Sequence, residues 1–234
     1  MNIIHFETID STNTHLKNNY KQLDNLTIVS SDVQSSGRGR NNRKWDSSKG
    51  NNLLFSILIK DEIIIRKYKS LSIISAYTII QILKQYGIND VYLKWPNDVI
   101  VNNKKICGVL LEAVSKNAIE CLIIGVGLNV NEDKFDKDYL IEATSMKNEL
   151  NKTIDLNELK DIVYKEFIEN INTDYDFYDD IKECDYLKNK KVSIQINNEL
   201  KDVEVIGIDH DYSLKVKDKD KTINIETGEA SMHI

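Results

Sequence analysis

A short segment near the N-terminus concentrates residues that suit a phosphorylated ligand. Residues 37–45 read Gly-Arg-Gly-Arg-Asn-Asn-Arg-Lys-Trp, which places four cations and one indole close together. Guanidinium groups bind phosphate through paired hydrogen bonds, and an indole offers a face for a cation or a base. The alternating glycines let the backbone approach a ligand closely. The segment therefore predicts a loop for a phosphate-bearing ligand with a stackable base, although a solvated basic turn would have the same composition.

The chain as a whole has the opposite charge. Its 234 residues carry a net charge of -6 and are 41% hydrophobic, which is enough for a full core. Without an extended basic face, the chain is not expected to bind DNA or membrane surfaces. No run reaches the roughly 18 apolar residues of a membrane span, and no signal-peptide pattern opens the chain. We therefore expect a cytoplasmic protein.

The cysteines and histidines do not suggest a metal centre. Cys107, Cys121 and Cys184 are odd in number and lack metal-binding spacing, and the four histidines are scattered singly. This pattern favours a reducing compartment over a disulfide framework or a zinc site. Cys107 lies in an apolar strand pattern, so we interpret it as a buried structural thiol and not as a nucleophile.

A second segment with chemically useful residues is predicted to form a β-hairpin. Two β-rich runs flank Asn102 and Asn103, which tolerate the positive φ of a tight turn. Pro96 is the single proline of the chain and interrupts the first run just before Asn97 and Asp98. At such a kink, Asp98 is a candidate ligand for Mg²⁺ or for a ribose hydroxyl.

Lys105 begins the return strand of this hairpin. Neighbouring residues of a strand point to opposite faces, so Lys104 and Lys105 should face different sides, with Cys107 on the side of Lys105. Lys105 would then reach the cavity near Asp98. A turn acid and an edge-strand lysine would give the same pattern without any ligand.

Two further segments contribute polar groups. Ser11, Thr12 and Asn13 suit the N-terminus of a helix, where they act as caps, and spare hydroxyls and amides there bind polar ligand groups. Residues 125–129 read Gly-Val-Gly-Leu-Asn and lack the third glycine and the helix of a dinucleotide fingerprint. We expect these glycines to let a ligand or a neighbouring backbone pass closely, with Asn129 as a polar contact.

The hydrophobic patterns predict a mixed domain followed by a small module. The apolar run 52–59 is typical of a strand buried on both faces. Spacings of three and four predict a long helix over residues 66–86, with Gly87 at its C′ position. Beyond residue 190, short alternating strands between turn residues are typical of a small barrel. We place the domain boundary near residue 185.

In order and spacing, these motifs resemble those of the biotin protein ligases along essentially the whole chain. The matching segments are Asp10-Ser-Thr-Asn13, Gln34, Gly37-Arg-Gly-Arg40, Arg43-Lys-Trp45, Lys94-Trp-Pro-Asn-Asp98, Lys104-Lys-Ile-Cys-Gly108 and Gly125-Val-Gly-Leu-Asn129. The resemblance implies an α/β fold of the α+β type: a mixed-sheet catalytic domain over residues 1–185 and an SH3-like C-terminal barrel over residues 186–234. It also implies the form that lacks an N-terminal DNA-binding domain. Asn41-Asn42 departs from the Arg-Gly frequent in the family.

The resemblance also implies a reaction and a set of residue roles. Biotin would be activated by ATP, with Mg²⁺, as biotinyl-5′-AMP and transferred to a lysine of a biotin carboxyl carrier protein, with no bound prosthetic group. Arg40 and Lys105 would be catalytic. The biotin contacts would be Ser11, Thr12, Asn13, Gln34, Gly37, Arg38, Gly39, Arg40, Lys105 and Gly108. The contacts to ATP and the adenylate would be Arg38, Arg40, Arg43, Trp45, Asn97, Asp98, Lys105 and Asn129, with Asp98 a candidate Mg²⁺ ligand.

Two other functions are compatible with parts of this pattern. A lipoate–protein ligase shares the architecture and the adenylation chemistry, but a Gly-Arg-Gly-Arg loop is not expected there. A non-enzymatic biotin-sensing regulator is disfavoured by the negative charge and by the expected lack of a DNA-binding segment. Either a monomer or a homodimer fits the sequence, which does not select an acceptor carboxylase.

Overall fold

A seven-stranded mixed sheet and a five-stranded sheet organise the chain. The computed structural model describes residues 2–135, 142–196, 199–226 and 230–233. The strands are β1 (Ile3–Ile9), β2 (Ile28–Gln34), β3 (Asn52–Ile59), β4 (Val91–Lys94), β5 (Asp98–Val101), β6 (Lys104–Ser115), β7 (Ile119–Asn129), β8 (Lys191–Ile196), β9 (Glu199–Ile208), β10 (Leu214–Asp218), β11 (Lys221–Ile225) and β12 (Ala230–His233). The α-helices are α1 (Thr12–Asn19), α2 (Glu62–Arg66), α3 (Tyr68–Gln85), α4 (Met146–Leu150), α5 (Leu156–Asn172) and α6 (Tyr178–Glu183).

The larger sheet has the strand order β1-β2-β3-β7-β6-β5-β4. β1 and β2 are parallel, and the other neighbouring strands are antiparallel. Every residue of β3 is buried, as the continuous apolar run predicted. β3 pairs with β7 from Asn52 opposite Asn129 to Ile59 opposite Leu122, so the glycines of β7 lie at the centre of the sheet. The predicted mixed sheet with packed helices is confirmed.

Helices cover both faces of this sheet. On one face, α3 and α5 enclose the main hydrophobic core, in which Phe55 packs edge-on against Tyr164 and Phe167. On the other face, α1 buries Leu16 in a smaller cluster with Leu58 of β3. β3 supplies alternate residues to the two clusters, because successive strand side chains point to opposite faces.

The helix predicted over residues 66–86 begins later and is preceded by a separate turn of helix. The Asp61 carboxylate caps α2, and Lys67, with φ -86° and ψ 13°, separates α2 from α3. Apolar spacing does not reveal such a break, because Ile64 of α2 and the buried apolar residues of α3 belong to the same core. Gly87 has φ 94° and follows α3 as a C′ residue, as predicted.

The C-terminal strands form an antiparallel sheet in the order β11-β10-β9-β8-β12. The turn between β9 and β10 contacts the residue that follows β4: the Trp95 indole Nε1 donates a hydrogen bond to the Tyr212 carbonyl at 3.0 Å. Leu93 also forms an isolated bridge with Asp185. Among the described residues, no helix has the length and apolarity needed to cross a membrane.

Candidate active site

One cavity of about 530 Å³ brings the separate sequence motifs together. It lies between the N-terminus of α1, the segment 37–45, the β4–β5 turn and the central strands β6 and β7. The predicted site residues that line it are Ser11, Thr12, Asn13, Gln34, Arg38, Gly39, Arg40, Arg43, Trp45, Asn97, Asp98, Lys105, Gly108 and Asn129. Gly37 is the predicted contact that does not line the cavity, because it packs against the backbone of Trp45.

A hydrogen-bonded polar cluster lines the α1 side of the cavity. The Thr12 backbone amide donates to Gln34 Oε1 at 2.8 Å, and the Thr12 and Ser56 hydroxyls lie 2.6 Å apart. Ser56 in turn donates to Asn13 Oδ1 at 2.5 Å. Ser11 is the N-cap of α1, which confirms its structural interpretation as a cap. Sequence reasoning missed Ser56, whose polar character within a buried strand was the available signal.

Glu112 is a second residue that sequence reasoning missed. Its Oε2 accepts hydrogen bonds from Asn13 Nδ2 at 2.8 Å and from the Arg38 guanidinium at 2.7 Å. Lys17 lies farther away, 3.7 Å from Oε1. The carboxylate therefore joins α1 to the cationic segment. A glutamate that ends the apolar run Val-Leu-Leu in β6 was the signal.

The glycines of β6 and β7 allow side chains to pack directly on the sheet. A Cβ atom on Gly125 would lie less than 3.0 Å from Asn13, and one on Gly127 would lie less than 3.0 Å from the Trp45 ring. A Cβ atom on Gly108 would also clash with Trp45. The atoms that approach Gly125 and Gly127 are side-chain atoms of Asn13 and Trp45, and not the neighbouring backbone that the sequence led us to expect.

The cationic segment folds back on itself over the cavity. The Trp45 amide donates to the Gly37 carbonyl at 2.9 Å, and the Gly39 amide donates to the Arg43 carbonyl at 2.7 Å. A short 3₁₀ turn at Arg40–Asn42 reverses the chain, with Asn41 at φ 55°. Asparagine tolerates this left-handed conformation better than most residues, so the departure from Arg-Gly is compatible with a tight turn.

On the other side of the cavity, Lys105 and Arg40 contact residues of the turn between β4 and β5. Lys105 Nζ lies 2.7 Å from Asp98 Oδ1 and 5.4 Å from the centre of the Trp45 ring. The Arg40 guanidinium donates to Asn97 Oδ1 at 3.3 Å. Burial lowers the pKa of Arg40, an effect that nearby Asp98 opposes. These contacts create a positive wall suited to anions.

A β-bulge in β6 places Lys105 and Cys107 on different faces of the strand, although we expected them to share one face. Ile100 pairs with Lys105, whereas Val99 pairs with Cys107, so β6 has one extra residue between them. A Cβ atom on Gly108 would lie 3.2 Å from Lys105 Nζ, which places these two residues on the same side. The expectation that Cys107 shares the Lys105 face was wrong, because alternation breaks at a bulge. Cys107 is fully buried in the core, as expected of a structural thiol.

A Mg²⁺ ion at Asp98 would need most of its ligands from a phosphorylated molecule and from water. The described residues contain no group of three His, Cys, Asp or Glu side chains that could form a metal cage. Asp98 is the predicted ligand, and its Oδ1 is paired with Lys105. Mg²⁺ commonly binds through one or two carboxylates plus phosphate oxygens and water, so a single aspartate fits that arrangement.

Comparison with known proteins identifies the family. The sequence profile of the biotin/lipoate A/B protein ligase family matches residues 5–129, more than half of the chain. The chain belongs to this family. The matched region contains the polar cluster, the cationic segment, the hairpin and the glycines of β7, so the cavity is built almost entirely from it.

Individual relatives agree with this assignment. The bifunctional ligase/repressor BirA of Bacillus subtilis is 34% identical over 132 residues, covering 55% of this chain and 41% of the relative. The biotin--[acetyl-CoA-carboxylase] ligase of Paracoccus denitrificans is 28% identical over 127 residues, covering 52% of this chain and 51% of the relative. The chain thus aligns with about half or less of these curated relatives.

A solved structure matches the chain over nearly its full length. The biotin protein ligase from Aquifex aeolicus, in complex with biotin and ATP, superposes with a TM-score of 0.86 at 27% identity. The match covers 99% of this chain and 98% of the other. The small C-terminal sheet is therefore included in the similarity of fold.

Proposed function

We propose that this chain is an ATP-dependent biotin–protein ligase, which forms biotinyl-5′-AMP and transfers the biotinyl group to a lysine of a carrier protein. The observation that carries the proposal is that one cavity has a neutral polar cluster on one side and a cationic wall on the other. Similarity to a biotin protein ligase solved with biotin and ATP supports it.

The neutral side of the cavity fits the ureido group of biotin. That group has two N–H donors and one carbonyl acceptor, and the cluster of Thr12, Asn13, Gln34 and Ser56 offers both amide and hydroxyl partners. Ser11 lines the same region. Buried polar groups held by one another are preorganised, so little conformational entropy is lost when the ligand replaces water.

The cationic side fits two anions that must react. A carboxylate oxygen of biotin bonds to the α-phosphorus of ATP, the bond to the β-phosphate bridging oxygen breaks, and diphosphate leaves. Lys105 and Arg40 reduce the repulsion between carboxylate and triphosphate and stabilise charge in the transition state. Asp98 orients Lys105. Mg²⁺ bound with ATP would screen the phosphates, with Asp98 as a protein ligand.

Trp45 and Asn129 are proposed to contact the adenosine moiety. The Trp45 ring lies against Gly127, and its Nε1 is buried without a hydrogen-bond partner among the described residues. Asn129 donates from Nδ2 to the Thr144 carbonyl at 3.0 Å, which fixes the orientation of its amide. Arg43 and Asn97 line the same side.

In the second half-reaction, the acceptor lysine amine attacks the acyl carbon of the anhydride and AMP leaves. The mixed anhydride is sensitive to water, so the folded cationic segment, with Gly37, Arg38 and Gly39, is proposed to shield it. Nothing in this route requires a covalent bond to the enzyme.

We further propose that residues 1–185 form the catalytic domain and residues 186–234 an SH3-like barrel. The antiparallel strands β8 to β12 support this assignment. The acceptor would be a biotin carboxyl carrier domain of acetyl-CoA carboxylase or another biotin-dependent carboxylase in the cytoplasm. The enzyme would act as a monomer or homodimer without DNA.

The decisive experiment is to incubate the protein with biotin and MgATP and to identify the bound product by mass spectrometry. We expect biotinyl-AMP, and transfer of biotin to an added carrier domain. Because the family includes lipoate ligases, calorimetric titrations should compare biotin with lipoate. Tighter lipoate binding and lipoyl-AMP formation would replace the proposal with a lipoate ligase. If neither biotin nor lipoate gives an adenylate, the proposed adenylation is refuted. A gel-shift assay with DNA at low salt would then test whether the protein is a non-enzymatic biotin-sensing regulator.

A further inference from the structure

The Glu132 carboxylate joins the chain just beyond β7 to the chain that follows the cationic segment. Its Oε1 accepts a hydrogen bond from the Ser48 hydroxyl at 2.9 Å, and its Oε2 accepts one from the Ser48 amide at 3.2 Å. Oε2 also accepts a hydrogen bond at 3.0 Å from Asn52 Nδ2, at the start of β3. Both carboxylate oxygens are therefore used, and hydrogen bonds to an ionised acceptor are stronger than those between neutral groups.

Buried groups fix the position of this carboxylate. The hydroxyl of Ser145, a fully buried residue, donates to the Glu132 carbonyl at 2.6 Å. Asn52 is 3% exposed, and its Oδ1 accepts a hydrogen bond from the Val130 amide at 3.1 Å while its Nδ2 donates to Glu132. Glu132 thus offers Ser48 an acceptor that is already oriented by other contacts, which lowers the entropic cost of binding the loop.

The cationic segment is held in different ways at its two ends. Before it, the backbone amides of residues 35 and 36 donate to carbonyls just after the strand residues of β1, both at 2.9 Å. After it, the chain returns to Ser48, where the Glu132 side chain binds it. Gly50 follows with φ 73°, a left-handed conformation that suits glycine. We call residues 43–49 the returning arm.

We propose that Glu132 is a positioning residue that holds the returning arm over the nucleotide side of the cavity. This assignment rests on the proposed function, because the returning arm includes Arg43 and Trp45, which line the cavity and are proposed to contact the nucleotide. Glu132 lies outside the described lining of the cavity, so it acts through the arm and not on a substrate. Glu112 binds the other end of the segment through Arg38, so two carboxylates hold its two ends.

Loss of the Glu132 carboxylate should therefore affect the two substrates unequally. The polar cluster proposed for biotin is held by contacts of its own, such as the hydrogen bond from the Thr12 amide to Gln34. Arg43 and Trp45 instead depend on the position of the returning arm. We expect Glu132→Ala to raise the Michaelis constant for ATP about tenfold, because charge-assisted hydrogen bonds are lost. The Kd for biotin alone should stay within about twofold of wild type.

The first test measures the Michaelis constant for ATP in biotin-dependent diphosphate release and, separately, the Kd for biotin. Asp133→Ala is the matched control, because Asp133 is the next residue in the chain and its exposed carboxylate pairs with Lys147 at 2.8 Å. Glu132→Gln retains one acceptor oxygen and should recover part of the loss. An unchanged Michaelis constant for ATP in Glu132→Ala, or equal losses for ATP and biotin, would overturn the proposal.

The second test does not depend on turnover. Backbone hydrogen bonds within residues 37–45 engage the Gly39 and Trp45 amides, so hydrogen exchange reports how firmly this segment stays folded. We expect exchange over residues 37–45 to be about tenfold faster in Glu132→Ala than in wild type. Exchange over residues 53–58 of β3 should not change. A merely structural role would lower Tm or speed exchange in β3 while leaving the segment as in wild type, and that result would contradict the proposal.

Ser48→Ala tests the contact from its other side. This variant removes the hydroxyl donor but keeps the hydrogen bond between Glu132 and Asn52, so it should change both measurements in the same direction and by less. Combined with Glu132→Ala, it should add little, because members of one hydrogen-bond network are not additive. Full additivity would mean that the carboxylate does not act through Ser48. Should Glu132→Ala fail to fold, Ser48→Ala and Glu132→Gln still decide the matter.

The inference and the proposed function fail in different ways. If the wild type forms no biotinyl-AMP but Glu132→Ala speeds exchange over residues 37–45, the proposed function is wrong and the role of Glu132 in holding the arm stands. If the wild type forms biotinyl-AMP and Glu132→Ala has wild-type constants and exchange, the role of Glu132 is wrong and the proposed function stands.

Discussion

The Arg38 guanidinium and the Glu112 carboxylate form an ion pair at 2.7 Å that ties the cationic segment to β6. The same carboxylate oxygen accepts a hydrogen bond from Asn13 at 2.8 Å. The segments proposed to bind biotin and phosphate therefore share one acceptor, which lies 99 positions from Asn13 in the sequence. Displacement of this carboxylate should disturb both ends of the cavity.

We expect Glu112→Ala to weaken the binding of biotin and to raise the Michaelis constant for ATP, each by about tenfold, because charge-assisted hydrogen bonds to Asn13 and Arg38 are lost. Glu112→Gln keeps an acceptor oxygen for Asn13 but loses the charge that pairs with Arg38. Its affinity for biotin should therefore be closer to the wild-type value than its Michaelis constant for ATP. Lys17→Ala is the control, since its half-exposed ammonium makes only a long contact. Wild-type constants in Glu112→Ala would contradict the positioning role.

Lys105 and Lys104 should differ strongly in their contribution to biotin binding. Lys105 is partly buried against Asp98, and loss of a charge-assisted hydrogen bond there costs about 1.5–3 kcal/mol, or roughly ten- to a hundredfold in affinity. Lys104 pairs with exposed Glu142 on the outer side, so Lys104→Ala should be nearly neutral. Biotin titrations of the two alanine variants check this, and the reverse ranking would require the site to be reassigned.

Arg40→Gly should make the enzyme release its reactive intermediate. Arg40 bridges the cationic segment to Asn97, so its removal loosens the cover over the proposed biotinyl-AMP. Free adenylate acylates lysines without selection, and a streptavidin blot of mixed bystander proteins should show promiscuous biotinylation. Lys49→Ala is a suitable control, because Lys49 is exposed and pairs with Glu7 away from the cavity. Labelling confined to the carrier domain in Arg40→Gly would count against this role.

Alanine at two glycines of β7 should separate the two halves of the cavity. A Cβ atom at Gly127 displaces the Trp45 ring, whereas one at Gly125 displaces Asn13. We therefore expect Gly127→Ala to change tryptophan fluorescence and to raise the Michaelis constant for ATP. Gly125→Ala should instead weaken the binding of biotin. Trp95, the other tryptophan, is 1% exposed and also lines the cavity, so the change attributed to Trp45 is the difference between the Gly127→Ala and Gly125→Ala signals. Identical effects of both variants on both ligands would instead indicate a general loss of packing, of about 1–3 kcal/mol.

Local patterns in the sequence determined much of this protein. The apolar run 52–59 required burial on both faces, and the paired asparagines at 102 and 103 required a tight turn, with φ values of 49° and 63°. The resemblance of ordered motifs indicated the family, and it predicted the residues that line the cavity. Such features are readable because backbone geometry and side-chain period act over a few residues.

The tertiary structure alone decided which distant residues complete the site. Ser56 and Glu112 lie on strands, and their contacts with Thr12, Asn13 and Arg38 arise because the sheet brings these strands close to α1 and the cationic segment. The bulge in β6 also cannot be predicted from the alternation of side chains along a strand, yet it places Lys105 beside Gly108. Burial and charge pairing depend on the whole assembled sheet. For that physical reason the motifs could be recognised in the sequence, whereas the side chains that contact and orient them could be identified only from the tertiary structure.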